Sequence, residues 1–198
     1  MDPQNARSRR TREALLRAAW ELVESEGVGK LTMATVAARA GVTRRSVYLH
    51  YDSRTSLVID LFTYANHRAG VEESFRRVWQ ARDAAAALAE WAAHLGRCHP
   101  GLSRFARAVQ RATDADPDAA EHWRLVQEDW RRACLRLARR LDDEGMLADG
   151  WTVTSVAAML QALMSYDVLE TLVAGNGWSV EEYSHHLARM ARSAFVRP

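Results

Sequence analysis

The sequence is poor in the features that mark secreted and membrane-spanning proteins. It has two cysteines, Cys98 and Cys134, among 198 residues; these are too few for a disulfide framework and favour a reducing compartment. The longest uncharged run, Gly150–Tyr166, has 17 residues and includes Thr, Ser and Gln, whereas a membrane-spanning helix needs roughly 20 apolar residues. The first ten residues lead into no apolar segment of the kind that follows the start of a signal peptide. We therefore expect a cytoplasmic protein with no membrane partner.

Two further absences concern fold class and enzymatic activity. No segment alternates apolar and polar residues with a period of two, so we expect no β-sheet. The sequence also lacks a glycine-rich phosphate loop, a nucleophile elbow and a His-Glu zinc helix. His94 and Cys98 are four residues apart on one predicted helix, with His99 beside them, but no third ligand follows at a fixed spacing. We predict a protein that is not an enzyme and holds no metal and no cofactor.

Apolar residues instead recur at helical spacing along most of the chain. The composition, 48% hydrophobic and 26% charged, is ordinary for a globular protein large enough to bury a core. Pro100-Gly101 is expected to end one helix, and Asp116-Pro117 to begin another with a cap and a first-turn proline. We predict an all-α fold with helices at residues 11–26, 33–40, 44–51, 54–78, 83–99, 102–113, 117–144, 152–174 and 179–196.

The segment Thr32–Arg54 has the pattern of two short helices joined by a tight turn. Thr32 and Thr43 are each placed to cap a helix. Gly41, between them, tolerates the positive φ at which a helix stops and the chain turns. In the second helix Val47 faces inward, which leaves the start of that helix exposed. Two helices joined in this way form a helix-turn-helix, and its second helix reads DNA.

This segment and its flanks resemble the TetR family of bacterial transcriptional regulators. Three positions depart from the family pattern: Tyr51 stands where Phe is usual, Arg54 where Lys is usual, and Arg45 where a small Gly is common. The resemblance covers about the first third of the chain. The positions that agree in register are Ala18-Ala19, Gly27, Leu31-Thr32, Val36-Ala37, Ala40-Gly41-Val42, Val47-Tyr48, His50-Tyr51, Arg54 and Leu57.

The resemblance implies a DNA-binding domain of three helices at residues 9–69, with the helix-turn-helix at about 32–51, and an effector-binding and dimerisation domain at 70–198. The charge distribution agrees, because residues 1–54 carry ten Lys or Arg against six Asp or Glu, and the remainder carries 17 against 19. We expect base edges of double-stranded operator DNA to be contacted by Arg44 and Arg45, with Ser46 beside them. Phosphates are expected to be held by Thr32, Thr43, Tyr48, His50 and Arg54.

The predicted helix Thr152–Ala174 is apolar nearly all round and must therefore be covered on every side. In a chain of this size, one flank is expected to pack on the domain core and the other on a second subunit. The last helix, Ser179–Val196, carries an apolar stripe beside it. Helix-turn-helix proteins bind paired half-sites as two-fold dimers, and the resemblance implies a homodimer through the last two helices. The alternative is a helix at the centre of a monomer.

Aromatic residues in the C-terminal part suggest an interior that takes a small molecule, because ligand pockets are mainly apolar with a few polar groups. TetR-like proteins generally carry an effector site in this part. A tryptophan in a helical stripe is also compatible with plain core packing. Asp167 would suit a cationic effector, although a carboxylate satisfied within the core is the simpler interpretation. The candidate effector-binding residues are Trp91, His94, Phe105, Trp123, Val126, Trp130, Met159, Leu163, Tyr166 and Asp167.

The sequence therefore predicts a dimeric transcriptional repressor that a small apolar or amphipathic effector releases from its operator. One alternative is a DNA-binding regulator without a small effector, either an activator or a protein antagonised by another protein. A second alternative is a helical enzyme or sensor that does not bind DNA. Loss of operator binding on addition of an effector separates the first two interpretations, and salt-sensitive DNA binding excludes the third.

Overall fold

The computed structural model describes the backbone of residues 3–198 and the side chains from Arg7 onward. The described chain is helical and contains no strand; its only β-type pairing there is an isolated antiparallel bridge between Leu147 and Val196. The predicted all-α fold is thus confirmed. The α-helices are α1 (Pro3–Glu26), α2 (Met33–Ala40), α3 (Arg44–Tyr48), α4 (Arg54–Arg68), α5 (Val71–Gln80), α6 (Ala84–Ala112), α7 (Pro117–Asp143), α8 (Val153–Leu163), α9 (Tyr166–Leu169) and α10 (Val180–Phe195).

The described residues divide into two compact units. The first comprises the chain up to Arg68 together with Arg104–Arg124, and the second comprises Ala69–Ser103 and Leu125–Pro198. The chain leaves the first unit one residue before the boundary expected from the sequence. The chain returns to the first unit at Arg104, which was not predicted. Because of this return, α6 and α7 are each divided between the two units.

The core of the first unit lies among α1, α2 and α4. Leu15, Val36 and Leu61 are fully buried there, and the ring of Phe105 from α6 stacks on Trp20 of α1 with centroids 5.0 Å apart. The core of the second unit draws on α5 to α10 and includes the fully buried Leu88, Leu137, Leu160 and Tyr183. Each unit therefore has an apolar core of its own.

The helix expected from Arg54 to Val78 is in fact two helices. α4 ends at Arg68 and α5 begins at Val71, with Gly70 between them at φ 65°. A residue without Cβ adopts this left-handed conformation without strain. Glu72 and Glu73 in the first turn of α5 then favour a new helix start through the helix dipole. These glutamates were the signal in the sequence that the prediction overlooked.

Other predicted helix boundaries also differ from the structure. α1 begins at Pro3 instead of residue 11, and α3 ends at Tyr48 instead of residue 51. Pro100 lies inside α6, which runs unbroken from Ala84 to Ala112. Leu95 and Leu102, on either side of that proline, are buried, so tertiary packing outweighs the roughly 3 kcal/mol that proline costs within a helix.

The helix predicted at residues 152–174 breaks after Leu163. α9 then begins at Tyr166 and continues as a π-helix over Glu170–Gly175, with a bend of 52° at the break. Ser165 caps α9 by accepting a hydrogen bond from the amide of Asp167. Among the described residues, no single helix is long and apolar enough to cross a membrane; only the bent pair passes by length and composition.

Candidate nucleic-acid interface and interior aromatic cluster

The helix-turn-helix of the first unit is held by its caps. The side chain of Thr32 accepts from the amide of Thr35, whose hydroxyl in turn accepts from the Thr32 amide. α2 ends at Gly41 in the left-handed conformation. Thr43 caps α3 by accepting from the amide of Ser46, and Val47 is fully buried. Both helices are therefore capped by local hydrogen bonds, and each has at least one buried apolar residue that anchors it.

The first turn of α3 presents its polar residues outward. Arg44 and Arg45 are exposed and Ser46 is half-buried. Arg44 reaches along the helix to Tyr48, with Nη2 3.4 Å from the hydroxyl and the guanidinium carbon 5.7 Å from the ring centroid. Tyr48 is 46% exposed, and the neighbouring Leu49 is 77% exposed. Two arginines, a phenol and an apolar side chain thus form one projecting surface.

Of the remaining predicted phosphate-binding residues, Thr32 and Thr43 are exposed and His50 is half-buried. Arg54 differs from the expectation. Its Nε donates to the carbonyl of Leu31, and its two terminal nitrogens donate to Asp116, Asp118 and the carbonyl of Val28. Because five protein oxygens take up its five N–H groups, the phosphate-binding role predicted for Arg54 is replaced by a structural one.

Tyr51, which stands where the TetR family pattern usually has Phe, anchors the end of the helix-turn-helix. Its hydroxyl donates to Asp60 Oδ2 at 2.5 Å, and the same carboxylate receives two hydrogen bonds from Arg12, at 2.9 and 2.7 Å. Burial, together with the bond to Asp60, raises the pKa of Tyr51. The network joins α1, the chain after α3, and α4. A phenylalanine at residue 51 could not take part in it.

The second unit contains a cluster of rings contributed by α5, α6, α7 and α9. His94 packs against Phe75 with centroids 3.9 Å apart. His99 lies 4.6 Å from the ring of Tyr166 and is stacked on Trp130 at 5.8 Å. Trp130 and Tyr166 contact each other at 5.5 Å. Three of the predicted effector residues, His94, Trp130 and Tyr166, are thus brought together with Phe75 and His99, which the sequence analysis did not include among the candidates.

Burial keeps this cluster uncharged at neutral pH. Desolvation lowers the pKa of His94 to about 4 and that of His99 to about 3. Desolvation also raises the pKa of Tyr166 and of Cys98, whose sulfur lies 3.6 Å from His94 Nδ1. His99 Nδ1 and Trp91 Nε1 are buried with no hydrogen-bond partner within the described part of the chain. The interior therefore offers neutral polar groups among apolar rings.

The other predicted effector residues are dispersed. Trp91 and Val126 are buried in the second unit. Phe105 and Trp123 belong to the first unit, where Phe105 packs on Trp20. Met159 is 43% exposed.

Asp167 is likewise exposed and takes part in the cap of α9, with Ser165 Oγ 3.1 Å from its carboxylate. The sequence left two alternatives for Asp167, a carboxylate satisfied within the core and an interior anion that binds a cationic effector. Its exposed position agrees with neither.

An open apolar cleft lies on the second unit between α8, α9, the π-helix and α10. Its volume is about 480 Å³, and it includes Leu163, predicted as an effector residue, together with Met190, which is 47% exposed. The remaining apolar lining comes from Val168, Leu172, Trp178, Tyr183 and Leu187. Within the described residues, no group of three or more His, Cys, Asp or Glu side chains is arranged to hold a metal ion.

Comparisons with known proteins agree with this architecture. Residues 15–61 match the family model described as "Bacterial regulatory proteins, tetR family". A search of curated proteins found no match.

Similar solved structures include a putative transcriptional regulator from Saccharomonospora viridis in complex with choline, which is 17% identical, with 94% of this chain and 98% of that chain covered and a TM-score of 0.74. NalD, the secondary repressor of the MexAB-OprM multidrug efflux pump in Pseudomonas aeruginosa, is 21% identical, with 96% and 98% covered and a TM-score of 0.73. SmeT, the repressor of the Stenotrophomonas maltophilia efflux pump SmeDEF, is 23% identical in its triclosan complex, with 94% and 92% covered and a TM-score of 0.73.

Proposed function

Because this chain is a TetR-family bacterial transcriptional regulator, we propose that it acts as a cytoplasmic homodimeric repressor that a small, uncharged apolar or amphipathic molecule releases from operator DNA. The family consists of DNA-binding regulators and not of enzymes, in agreement with the expectation from the sequence. The observation that carries the DNA-binding part is the exposed Arg44-Arg45 pair at the start of α3, within the segment that matches the family. Arginine pairs with guanine edges in the major groove.

The effector is assigned to the ring cluster of the second unit. Trp130 and Tyr166 supply apolar faces, and His99 Nδ1 is a buried polar atom that lacks a hydrogen-bond partner among the described residues. Both histidines of the cluster are neutral at pH 7, so they offer no positive charge to an anion, and the cluster suits an uncharged ligand. The SmeT structure contains triclosan and the Saccharomonospora viridis structure contains choline, which supports a small-molecule site in a chain of this fold.

We assign the homodimer interface to the cleft along α8, the π-helix and α10, where exposed Met159 and Met190 extend the apolar surface. Reading paired half-sites requires two α3 helices about 34–36 Å apart. A ligand that favours the DNA-incompatible arrangement would need about 5.5 kcal/mol of differential affinity to move a 99:1 population to 1:99. Burial of a drug-sized apolar molecule is of that order, at roughly 25 cal/mol per Å².

DNA binding is tested first with duplexes that cover the regions flanking the protein's own gene. The proposal expects binding that weakens steeply with salt and that unrelated duplexes of equal length do not compete away. Hydrophobic compounds are then screened for quenching of tryptophan fluorescence, and each hit is tested for operator release. Quenching should diminish in Trp130→Phe and persist in the control Trp151→Phe, since Trp151 packs on Phe195, which is not a ring of the cluster.

The outcomes separate the alternatives. Compounds that quench through Trp130 without changing operator affinity would favour a regulator that no small molecule controls. A protein that binds no duplex at low salt would favour the helical enzyme or sensor.

A further inference from the structure

Arg54 joins three separate parts of the first unit. It begins α4; its Nε donates to the Leu31 carbonyl at 2.7 Å, and its Nη2 donates to the Val28 carbonyl at 3.1 Å. Both carbonyls belong to the turn that leads into α2. On its other side the guanidinium meets Asp116 with two hydrogen bonds, at 2.9 and 2.5 Å, and Asp118 with one at 2.8 Å. Arginine has five N–H groups in a planar fork, and here all five are used.

The two aspartates also form the start of α7. Asp116 Oδ1 accepts from the amides of Asp118 and Ala119 at 3.1 and 3.3 Å, which caps that helix. The second carboxylate oxygen of Asp118 receives a hydrogen bond from the hydroxyl of Thr55 at 2.5 Å. Burial alone would raise the pKa of Asp116, but the hydrogen bonds and charge of Arg54, together with the amide hydrogen bonds from Ala119 and Asp118, outweigh it and lower that pKa. The carboxylate is therefore ionised at neutral pH, and the cap of α7 is also the counter-ion of Arg54.

Asp116 and Asp118 stand at the start of α7, and this helix extends from the first unit into the second. It continues unbroken from Pro117 to Asp143, and its later residues include Trp130 of the ring cluster and Cys134 and Leu137 of the second core. α4 ends at Arg68, at the Gly70 break. A displacement of α7 along its axis would act directly on the hydrogen bonds of Arg54, and hence on the turn that precedes α2.

We infer that Arg54 is a positioning residue for DNA binding: through Asp116 and Asp118 it ties the helix-turn-helix to the first turn of α7, so that operator affinity depends on where α7 lies. The inference deepens the proposed function and rests on it. Arg54 contacts no phosphate in this arrangement, because each of its N–H groups is already donated to a protein oxygen.

The decisive test is a substitution that should change operator affinity in opposite directions, depending on whether Arg54 positions the helix-turn-helix or only the net charge of the DNA-binding unit matters. Asp116→Asn removes one negative charge from the DNA-binding unit, so electrostatics alone would leave operator affinity unchanged or increase it. If Arg54 positions the helix-turn-helix, the same change weakens operator binding by about tenfold, the order expected for loss of a hydrogen bond to a charged group. Asparagine caps helices about as well as aspartate, so α7 should keep its start.

The matched control is Asp114→Asn, which removes the same charge from an exposed residue two positions earlier in the same turn. Affinities are measured by fluorescence anisotropy on a duplex selected by the wild-type protein from a random-sequence library, with folding checked by circular dichroism. Asp114→Asn should bind as tightly as the wild type or slightly more tightly.

Arg54→Lys and Arg54→Gln provide a second measurement. A positioning role predicts that Lys, with three donors and no planar fork, is impaired about as much as Asp116→Asn, and that Gln leaves the salt dependence unchanged. A phosphate contact predicts instead that Lys is nearly normal and that Gln reduces the slope of log affinity against log salt by about 0.9.

The inference is overturned if Asp116→Asn binds as tightly as Asp114→Asn, or if Arg54→Gln lowers that slope. A wild-type protein that selects no duplex would refute the proposed function itself, which is a distinguishable result.

Discussion

Gly96 of α6 and Ser184 of α10 approach each other so closely that a side chain at residue 96 has no room. A β-carbon there would overlap Ser184 Oγ and lie 3.3 Å from Ser184 Cβ. The hydroxyl is held in place by a 2.9 Å hydrogen bond to the carbonyl of Val180. This contact sets the distance between α6, which carries His94 and His99, and the last helix of the second unit.

Gly96→Ala should therefore destabilise the protein even though alanine is the better helix former. Overpacking of this kind costs about 1–3 kcal/mol, measured as the free energy of unfolding in urea. Ser184→Ala in the same chain should recover part of the loss, because it removes the hydroxyl that the new methyl group would overlap. Gly101→Ala is the control: Gly101 lies in the same helix, and a β-carbon there would have nothing within 4 Å, so alanine should stabilise by up to about 1 kcal/mol. Equal effects at both glycines would contradict the steric explanation.

Arg45→Ala should relax operator specificity at one base pair in each half-site, because Arg45 is exposed in the first turn of α3. A bidentate contact between arginine and guanine discriminates by about 1–3 kcal/mol. Affinities for a set of duplexes, each with one base pair changed, provide the measurement. Arg45→Lys keeps the charge but not the planar fork and should lose the same discrimination with less loss of overall affinity. A uniform loss on every duplex would assign Arg45 to the phosphates.

His122→Leu should stabilise the protein, and more so in acid. His122 is buried against Phe62, with ring centroids 4.4 Å apart, and neither ring nitrogen has a partner among the described residues. Desolvation lowers its pKa to about 4, below the value of about 6.5 in an unfolded chain. The unfolded state therefore binds the proton first, and stability falls as the pH drops from about 6.5 towards 4.

At pH 5 this loss amounts to about 2 kcal/mol for His122 alone, and leucine removes it. The measurement is the difference in unfolding free energy between pH 7 and pH 5 for the variant and the wild type. His67→Leu, at an exposed position of α4 in the same unit, is the control and should leave that difference unchanged. A variant with the pH dependence of the wild type would show that His122 is not buried as described.

Met190→Glu should convert the proposed dimer to monomers without unfolding the protomer. Met190 is 47% exposed and borders the α8–α10 cleft, so the charge is buried only when a second subunit covers it. An unpaired buried charge costs about 3–5 kcal/mol, which is more than a hundredfold in dissociation constant. Ile59→Glu, at 46% exposure in the first unit, should remain dimeric in sedimentation at micromolar concentration. A monomeric wild type would refute the dimer.

Leu169 and Leu187, in contrast, are buried in the core of their own unit. A charge there would unfold the protomer whether or not it dimerises, so neither position can report on the interface.

The sequence by itself determined the fold class and the place of the helix-turn-helix. Caps, turn glycines and apolar spacing act over a few residues, so Thr32, Gly41 and Thr43 could be assigned from their neighbours alone. Where a local signal competed with packing, the prediction failed. Pro100 was expected to break a helix, but buried residues on both sides carry α6 through it.

Only the tertiary structure decided which distant residues meet. Arg54 and Asp116 are 62 residues apart in the chain, and an arginine in the first turn of a helix is equally compatible with a phosphate or with a carboxylate from elsewhere. In the same way, Phe105 was expected in the interior of the C-terminal domain and lies instead on Trp20. Periodicity reports which face of a helix is buried and not which element covers it, because burial lowers the free energy equally against any apolar partner.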